Sequence, residues 1–280
     1  MTQVAIVTGA NKGLGLAIVK LLCERFDGTV YLTSRDEKRG QNACEELNQQ
    51  GLTPKYYQLD VTDSESVIRF RDYMKNTYEG IDILINNAGI LFLKDAKEPK
   101  TYQAEQTIFV NFTSLVNFTE AMLPLTKDGG KIVNISSSSG HLSRIPSQEI
   151  REKISSPELT LEGLRRLTDL YLDAVKRNKE MEEGWGESPY VVSKVAVNAY
   201  TFLLHRRLKS RGIIVNCVHP GYVMSDMTHG AGDVSPAAAA EHPVRLALEP
   251  QAGGLYMWRN GTTVPWGGPD PRGYIDGKPV

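Results

Sequence analysis

An α/β fold built on one doubly wound parallel sheet is what this sequence predicts, and three observations predict it. Apolar strand-like runs alternate with amphipathic helical patterns over most of the chain. The first apolar run leads straight into a glycine-rich turn, Thr8-Gly9-Ala10-Asn11-Lys12-Gly13-Leu14-Gly15, which opens a helix. One stretch has no strand signal, so a helical insertion is expected at about 141–186 within a single domain over 1–280. Strand and helix alternating in this way imply βαβ units with right-handed crossovers.

Val4-Ala5-Ile6-Val7 is continuously apolar, as a strand covered on both faces of a parallel sheet must be. The helix after the turn carries its apolar face at Leu14, Ala17, Ile18, Leu21 and Leu22. Further strands are expected at 29–33, 55–59, 83–86, 131–135 and 213–218. Helical patterns fill the intervals at roughly 37–50, 64–78, 101–123 and 189–209. The pattern as a whole is Rossmann-like. Inside the insertion, a helix near 160–181 puts Leu161, Leu164, Leu167, Tyr171 and Ala174 on one side. The tail at 255–268, rich in Gly, Pro and aromatic residues, reads as an ordered irregular loop, with Gly273-Tyr274-Ile275-Asp276 as a candidate last strand.

A chain of 280 residues can bury a substantial core without staples. Basic residues (32) and acidic residues (33) nearly cancel, which argues against a nucleic-acid or anionic-membrane surface. No uninterrupted apolar run approaches the roughly 18 residues of a membrane span. Met1-Thr2-Gln3-Val4 enters a strand directly and leaves no room for a signal peptide, so a cytoplasmic location is expected. Cys23, Cys44 and Cys217 offer neither a disulfide framework nor metal-ligand spacing, and no metal is expected.

The glycine turn lies between a buried strand and a helix, the context in which such a motif carries meaning. Glycines let the backbone turn sharply and approach a pyrophosphate, which then lies on the free N–H groups of the helix N-terminus. The residues after the second strand, Thr33-Ser34-Arg35-Asp36-Glu37-Lys38-Arg39, bear on the choice of cofactor. A carboxylate at that strand end would bind the ribose hydroxyls of NAD. Here Ser34 is neutral, and Arg35, Arg39 and Lys12 supply cations suited to the 2′-phosphate of NADP. The competing reading is a solvated basic helix start, to which Asp36 and Glu37 lend support.

Tyr190 and Lys194 stand four residues apart in Tyr190-Val191-Val192-Ser193-Lys194, which places phenol and ammonium one helical turn apart. A nearby ammonium stabilises phenolate, so Lys194 is expected to lower the Tyr190 pKa and make it a general acid/base.

Together these pieces resemble the short-chain dehydrogenase/reductase family. The matching residues are the glycine turn, Leu59-Asp60-Val61, Asn86-Asn87-Ala88-Gly89, Asn111, Asn134-Ile135-Ser136-Ser137, the Tyr190 to Lys194 run and Pro220-Gly221. The long segment between Ser137 and Tyr190, Asn11-Lys12 in the turn and the Arg35 to Arg39 run look most like its monomeric, NADPH-dependent carbonyl reductases. The resemblance implies reduction of a small-molecule aldehyde, ketone or quinone with NADPH. Tyr190 would protonate the carbonyl oxygen, Lys194 would tune Tyr190 and hold the nicotinamide ribose, and Ser137 would steady the developing alkoxide. Asn111 would hold a water leading from Lys194 to solvent. Asp60 and Val61 would flank the adenine, and Asn87, Ala88 and Gly89 would line the cofactor. Pro220, Gly221, Val223, Met224 and Ser225 would reach the nicotinamide. Phe92 and Gln103 fall where some relatives bind glutathione conjugates, which makes them candidate substrate contacts.

The rival functions are oxidation of an alcohol or steroid and a non-catalytic NADPH-binding regulator. Arg35 argues against the first, because NADP-linked members usually reduce. The intact Asn111, Ser137, Tyr190 and Lys194 set argues against the second. A monomer is expected, with the inserted helix covering the Tyr–Lys helix at Val195, Ala199, Phe202 and Leu203. Among the remaining candidates, Cys217 and His219 read as packed strand residues, while His141 lies close enough to Ser137 to be considered for substrate contact.

Overall fold

A computed structural model describes residues 2–278. Its centre is an eight-stranded sheet in the order β3-β2-β1-β4-β5-β6-β7-β8. The strands are β1 (Gln3–Val7), β2 (Gly28–Ser34), β3 (Lys55–Gln58), β4 (Ile81–Asn86), β5 (Thr126–Ile135), β6 (Ile214–Val218), β7 (Tyr256–Met257) and β8 (Thr263–Val264). All neighbours pair in parallel except β7 with β8. The helices are α1 (Gly13–Arg25), α2 (Glu37–Gln49), α3 (Ser64–Thr77), α4 (Lys100–Ile108), α5 (Leu115–Met122), α6 (Gln148–Ser155), α7 (Leu161–Lys176), α8 (Pro189–Leu208), α9 (Pro236–Leu248) and the short α10 (Pro271–Tyr274).

The apolar run of β1 shows why the fold is doubly wound. Val4 and Ile6 enter the hydrophobic cluster that also holds residues of α3, α5, α7 and α8. Ala5 and Val7 point the other way, into a cluster with α1, α2 and α9. Alternate side chains on opposite faces are the strand period of two, and here both faces are buried. Strand order reverses between β1 and β4, which leaves a crevice at the carboxyl ends of the strands.

Several boundaries differ from the sequence expectation, each for a local reason. The helix expected over 101–123 is interrupted by a π-helical turn, Phe109–Ser114, that holds Asn111. The continuous helical stretch Lys100–Leu125 is long and apolar enough to meet the length and composition of a membrane span. Here it packs inside the fold, with Ile108, Phe112, Val116, Phe118 and Met122 all buried, so its apolar character is that of a core helix. The insertion holds two helices rather than one. α7 starts at its Thr160 cap, whose side chain accepts from Gly163 N–H, and stops before Asn178, which has left-handed φ of 53°.

The tail is also more regular than expected. β7 and β8 extend the sheet beyond β6. The candidate strand at 273–276 is not a strand. Asp270 caps the Arg272 N–H and Pro271 takes the first helical position, so the chain turns into α10 instead. α9 had no apolar period clear enough to be read, although Ser235 and Pro236 form an ordinary cap and first-turn pair.

Candidate active site

The crevice is one cavity of about 890 Å³, lined by the glycine turn, the loops after β4, β5 and β6, and the start of α8. Gly9 (φ 61°) and Gly13 (φ 56°) adopt left-handed backbone that other residues resist. Gly15 answers to packing, since a Cβ there would fall 2.5 Å from Asn87 Nδ2. Thr8 Oγ1 accepts from Asn87 N–H (3.0 Å) and Ala88 N–H (3.1 Å), while Asn87 Nδ2 donates to the carbonyls of Thr8 (2.9 Å) and Gly9 (3.0 Å). Asn87 thus ties the β4 loop to the turn. Asn11, Leu14, Ala88 and Gly89 line the same wall.

The three cations expected at the cofactor's phosphate separate in space. Arg35 lines the cavity and has no ion-pair partner among the described residues. Lys12 also lines it, but its ammonium is paired with Asp226 at 2.6 Å. Arg39 does not line it and pairs instead with Asp36 at 3.0 Å. Arg39 is thus held on the cap of α2, beside the cavity rather than in its wall. Asp60 and Val61 line the cavity, and Asp60 Oδ1 accepts from Thr62 N–H at 2.9 Å and Thr62 hydroxyl at 2.6 Å.

Ser137, Tyr190 and Lys194 meet at the other end of the cavity. Ser137 Oγ accepts from Ser139 N–H at 3.2 Å, which leaves its own proton free to donate into the cavity. Lys194 is buried, donates to the Ile135 carbonyl at 2.8 Å and lies 5.6 Å from the centre of the Tyr190 ring. Burial lowers the Lys194 ammonium to about 8. Burial also raises the Tyr190 phenol to about 12, against a smaller lowering pull from the Ser137 hydroxyl. The expected lowering of Tyr190 by Lys194 is thus not what dominates. A phenolate would lose solvation in this pocket, and Lys194 points its proton at a backbone carbonyl instead. A group so placed is a proton donor at neutral pH, and the three side chains together can hold a carbonyl oxygen and protonate it.

Asn111 stands behind this site. It is 1% exposed, its Oδ1 accepts from Ile90 N–H at 2.8 Å, and its Nδ2 donates to Ile90 carbonyl (3.0 Å) and Ser193 Oγ (3.2 Å). The Asn111 side chain thus fixes the cavity wall at Ile90. Phe92 lines that wall, whereas Gln103 does not and donates to the Glu98 carbonyl at 2.8 Å. Gln103 is therefore corrected from the substrate set, because its position on α4 turns it away from the cavity. Pro220, Gly221, Val223, Met224 and Ser225 all line the cavity after β6. His141 does not, being fully buried with its ring nitrogens on Ser143 Oγ (2.9 Å) and Pro265 carbonyl (3.1 Å). His219 does reach the cavity, but burial pushes it down to about 3, so it is neutral and accepts from Gly221 N–H at 3.3 Å.

Sequence reasoning missed Tyr222 and Met227 on the loop after β6, and Arg259, Arg272, Asp276 and Lys278 from the tail, all of which line the cavity. Tyr222 and Met227 adjoin matched positions and were within reach. No local signal marks the tail residues, which arrive there only because β7 adds to the sheet edge.

The sequence matches the family model described as short chain dehydrogenase over residues 3–148 and 178–234. The chain belongs to the short chain dehydrogenase family. The gap in the match falls on the insertion that holds α6 and α7. Carbonyl reductase [NADPH] 1 of Sus scrofa is 40% identical over 254 residues, which is 89% of this chain and 88% of that one. Among solved structures, salutaridine reductase from Papaver somniferum superimposes with a TM-score of 0.84 at 31% identity, covering 91% of this chain and 99% of that one. Menthone neomenthol reductase from Mentha piperita gives a TM-score of 0.80 at 32% identity, covering 92% and 99%. The protein is thus a short chain dehydrogenase whose relatives include carbonyl reductases.

Proposed function

We propose that this short chain dehydrogenase reduces aldehydes, ketones or quinones to alcohols, with NADPH as the reductant and Tyr190 as the acid. One observation carries the reading: a single cavity holds Arg35 and the glycine turn at one end and Ser137, Tyr190 and Lys194 at the other. The residues fit a dinucleotide. A Cβ at Gly9 would fall 2.9 Å from Ala88 Cα, so the turn is as close to the β4 loop as a backbone can be. Gly13 faces Ser225 across the mouth, where a Cβ would meet the Ser225 Cβ at 3.6 Å and fill part of the cradle.

NADPH bound along this wall would supply hydride to the carbonyl carbon. Ser137 donates a hydrogen bond to the carbonyl oxygen and polarises it. Tyr190 then gives its proton to the oxygen as negative charge develops there. Its high pKa keeps it protonated for that step, and a nascent alkoxide is basic enough to take the proton. The Lys194 ammonium, one turn below, offsets the phenolate left behind. Asn111 keeps Ile90 and the neighbouring wall in place. The carbonyl reductase relative, named for NADPH, supports the cofactor and the reaction class.

The test is oxidation of NADPH with a panel of carbonyl compounds, followed by Tyr190→Phe. The variant keeps the ring and loses the acid, so turnover should fall by ~10²–10⁴ while NADPH affinity holds. Near-normal turnover of Tyr190→Phe would remove the mechanism.

We also propose that the protein is a monomer. α8 buries Val195 and Ala199 in the cluster that also takes in Leu164, Tyr171 and Ala174 of α7, and Leu203 is buried as well. Phe202 is covered differently, by Trp266 of the tail at 5.0 Å between ring centres.

A further inference from the structure

The aromatic tail touches the loop that carries Ser137 at several points. Tyr256, buried in β7, donates its hydroxyl to the Ser137 carbonyl. Trp266 donates Nε1–H to the Gly140 carbonyl at 2.8 Å, and its own carbonyl accepts from Leu142 N–H at 3.0 Å. The Gly140 carbonyl receives a second donor, Asn198 Nδ2, at 2.9 Å. Asn198 lies one turn beyond Lys194 on α8, so Tyr190, Lys194 and Asn198 share one face of that helix. The space around the loop is tight, since a Cβ at Gly140 would fall 2.6 Å from Ser136 Oγ and 2.9 Å from the Lys194 carbonyl.

We infer that Tyr256 and Trp266 are positioning residues for the reduction. They hold the Ser137–Gly140 loop by its carbonyls and so fix the Ser137 hydroxyl opposite Tyr190. The inference rests on the function proposed above. The loop closes its own short turn, with Ser139 N–H on Ser137 Oγ (3.2 Å) and Gly140 N–H on the Ser137 carbonyl (2.9 Å), but those bonds do not fix the turn relative to α8. The tail supplies that constraint from the edge of the sheet, through β7 paired with β6. Trp266 is held in turn by Phe202 of α8, so the loop and the helix bearing Tyr190 are set against the same ring. This gives the tail a task that its composition alone did not suggest.

The test compares Tyr256→Phe and Trp266→Phe with Ser137→Ala, alone and combined, in the full-length enzyme with NADPH and a carbonyl substrate. Each tail variant removes a donor and keeps a ring. Misplacing one reacting group costs on the order of ten- to a hundredfold in kcat, and that is the loss expected of each, with NADPH binding within about twofold of the parent. In the Ser137→Ala background either tail variant should add less than about twofold, because it acts through a hydroxyl no longer there. Leu22→Ala, buried in α1 in the cluster that holds neither Tyr256 nor Trp266, controls for general loosening and should lower Tm without changing kcat.

Two results overturn the inference: parental kcat in both tail variants, or losses that multiply in full with that of Ser137→Ala. If Tyr256→Phe does not fold, Trp266→Phe decides the same question. Failure of the underlying reading would look different, because Tyr190→Phe would then retain turnover whatever the tail variants do.

Discussion

Arg35→Ala separates a cofactor contact from a solvated surface charge. Arg35 lines the cavity beside the glycine turn with no carboxylate partner among the described residues, whereas Lys12 is paired with Asp226 at 2.6 Å and Arg39 with Asp36 at 3.0 Å. A charge-assisted hydrogen bond contributes roughly 1.5–3 kcal/mol, and ~1.4 kcal/mol is a factor of ten. Arg35→Ala should therefore weaken NADPH binding about ten- to a hundredfold, with solvent at the exposed rim favouring the lower figure. NADH lacks the 2′-phosphate and should be affected less than about twofold. Lys12→Ala should cost less than Arg35→Ala, because Lys12 must first leave Asp226. Arg39→Ala should cost least, since its guanidinium is turned onto the α2 cap. Titration of cofactor fluorescence or heat, run with NADPH and NADH side by side, measures all three. Equal weakening of both cofactors by Arg35→Ala would refute the reasoning, and so would an Arg39 effect larger than that of Arg35.

Other consequences follow from the same geometry. Burial lowers Lys194 to about 8, so its ammonium is present below that pH and lost above it. kcat/KM for NADPH, which reports groups on the cofactor-free protein, should fall as pH rises through about 8. Lys194→Arg should lose that limb, and a flat wild-type profile between about pH 7 and about pH 9.5 would contradict the assignment. Light scattering should give a monomer of 31.0 kDa. Removal of residues 147–182, which include α6 and α7, should expose the α8 cluster and cause association. A stable dimer of the intact chain at micromolar concentration would show that the insertion does not act as the cover.

The sequence by itself determined the parts that depend on near neighbours. Val4 to Val7 had to be a doubly covered strand because every side chain is apolar. Gly9 and Gly13 had to open the turn because their left-handed backbone admits little else. Tyr190 and Lys194 had to share a helix face because four residues make one turn. These are short-range constraints, and the family resemblance added Ser137 to them by register.

What only the tertiary structure decided was direction and environment. Arg35, Lys12 and Arg39 look equivalent along the chain, yet the fold lines the cavity with Arg35 with no ion pair among the described residues, pairs Lys12 with Asp226 and holds Arg39 on the α2 cap. Gln103 and Phe92 both looked like substrate contacts, and packing of α4 kept only Phe92. The tail read as irregular because its strands are two residues each, too short for a period of two to show. Spacing alone made Lys194 the control on Tyr190. In the folded protein burial outweighs it and raises the phenol to about 12, because the cost of desolvating a charge depends on everything packed around it.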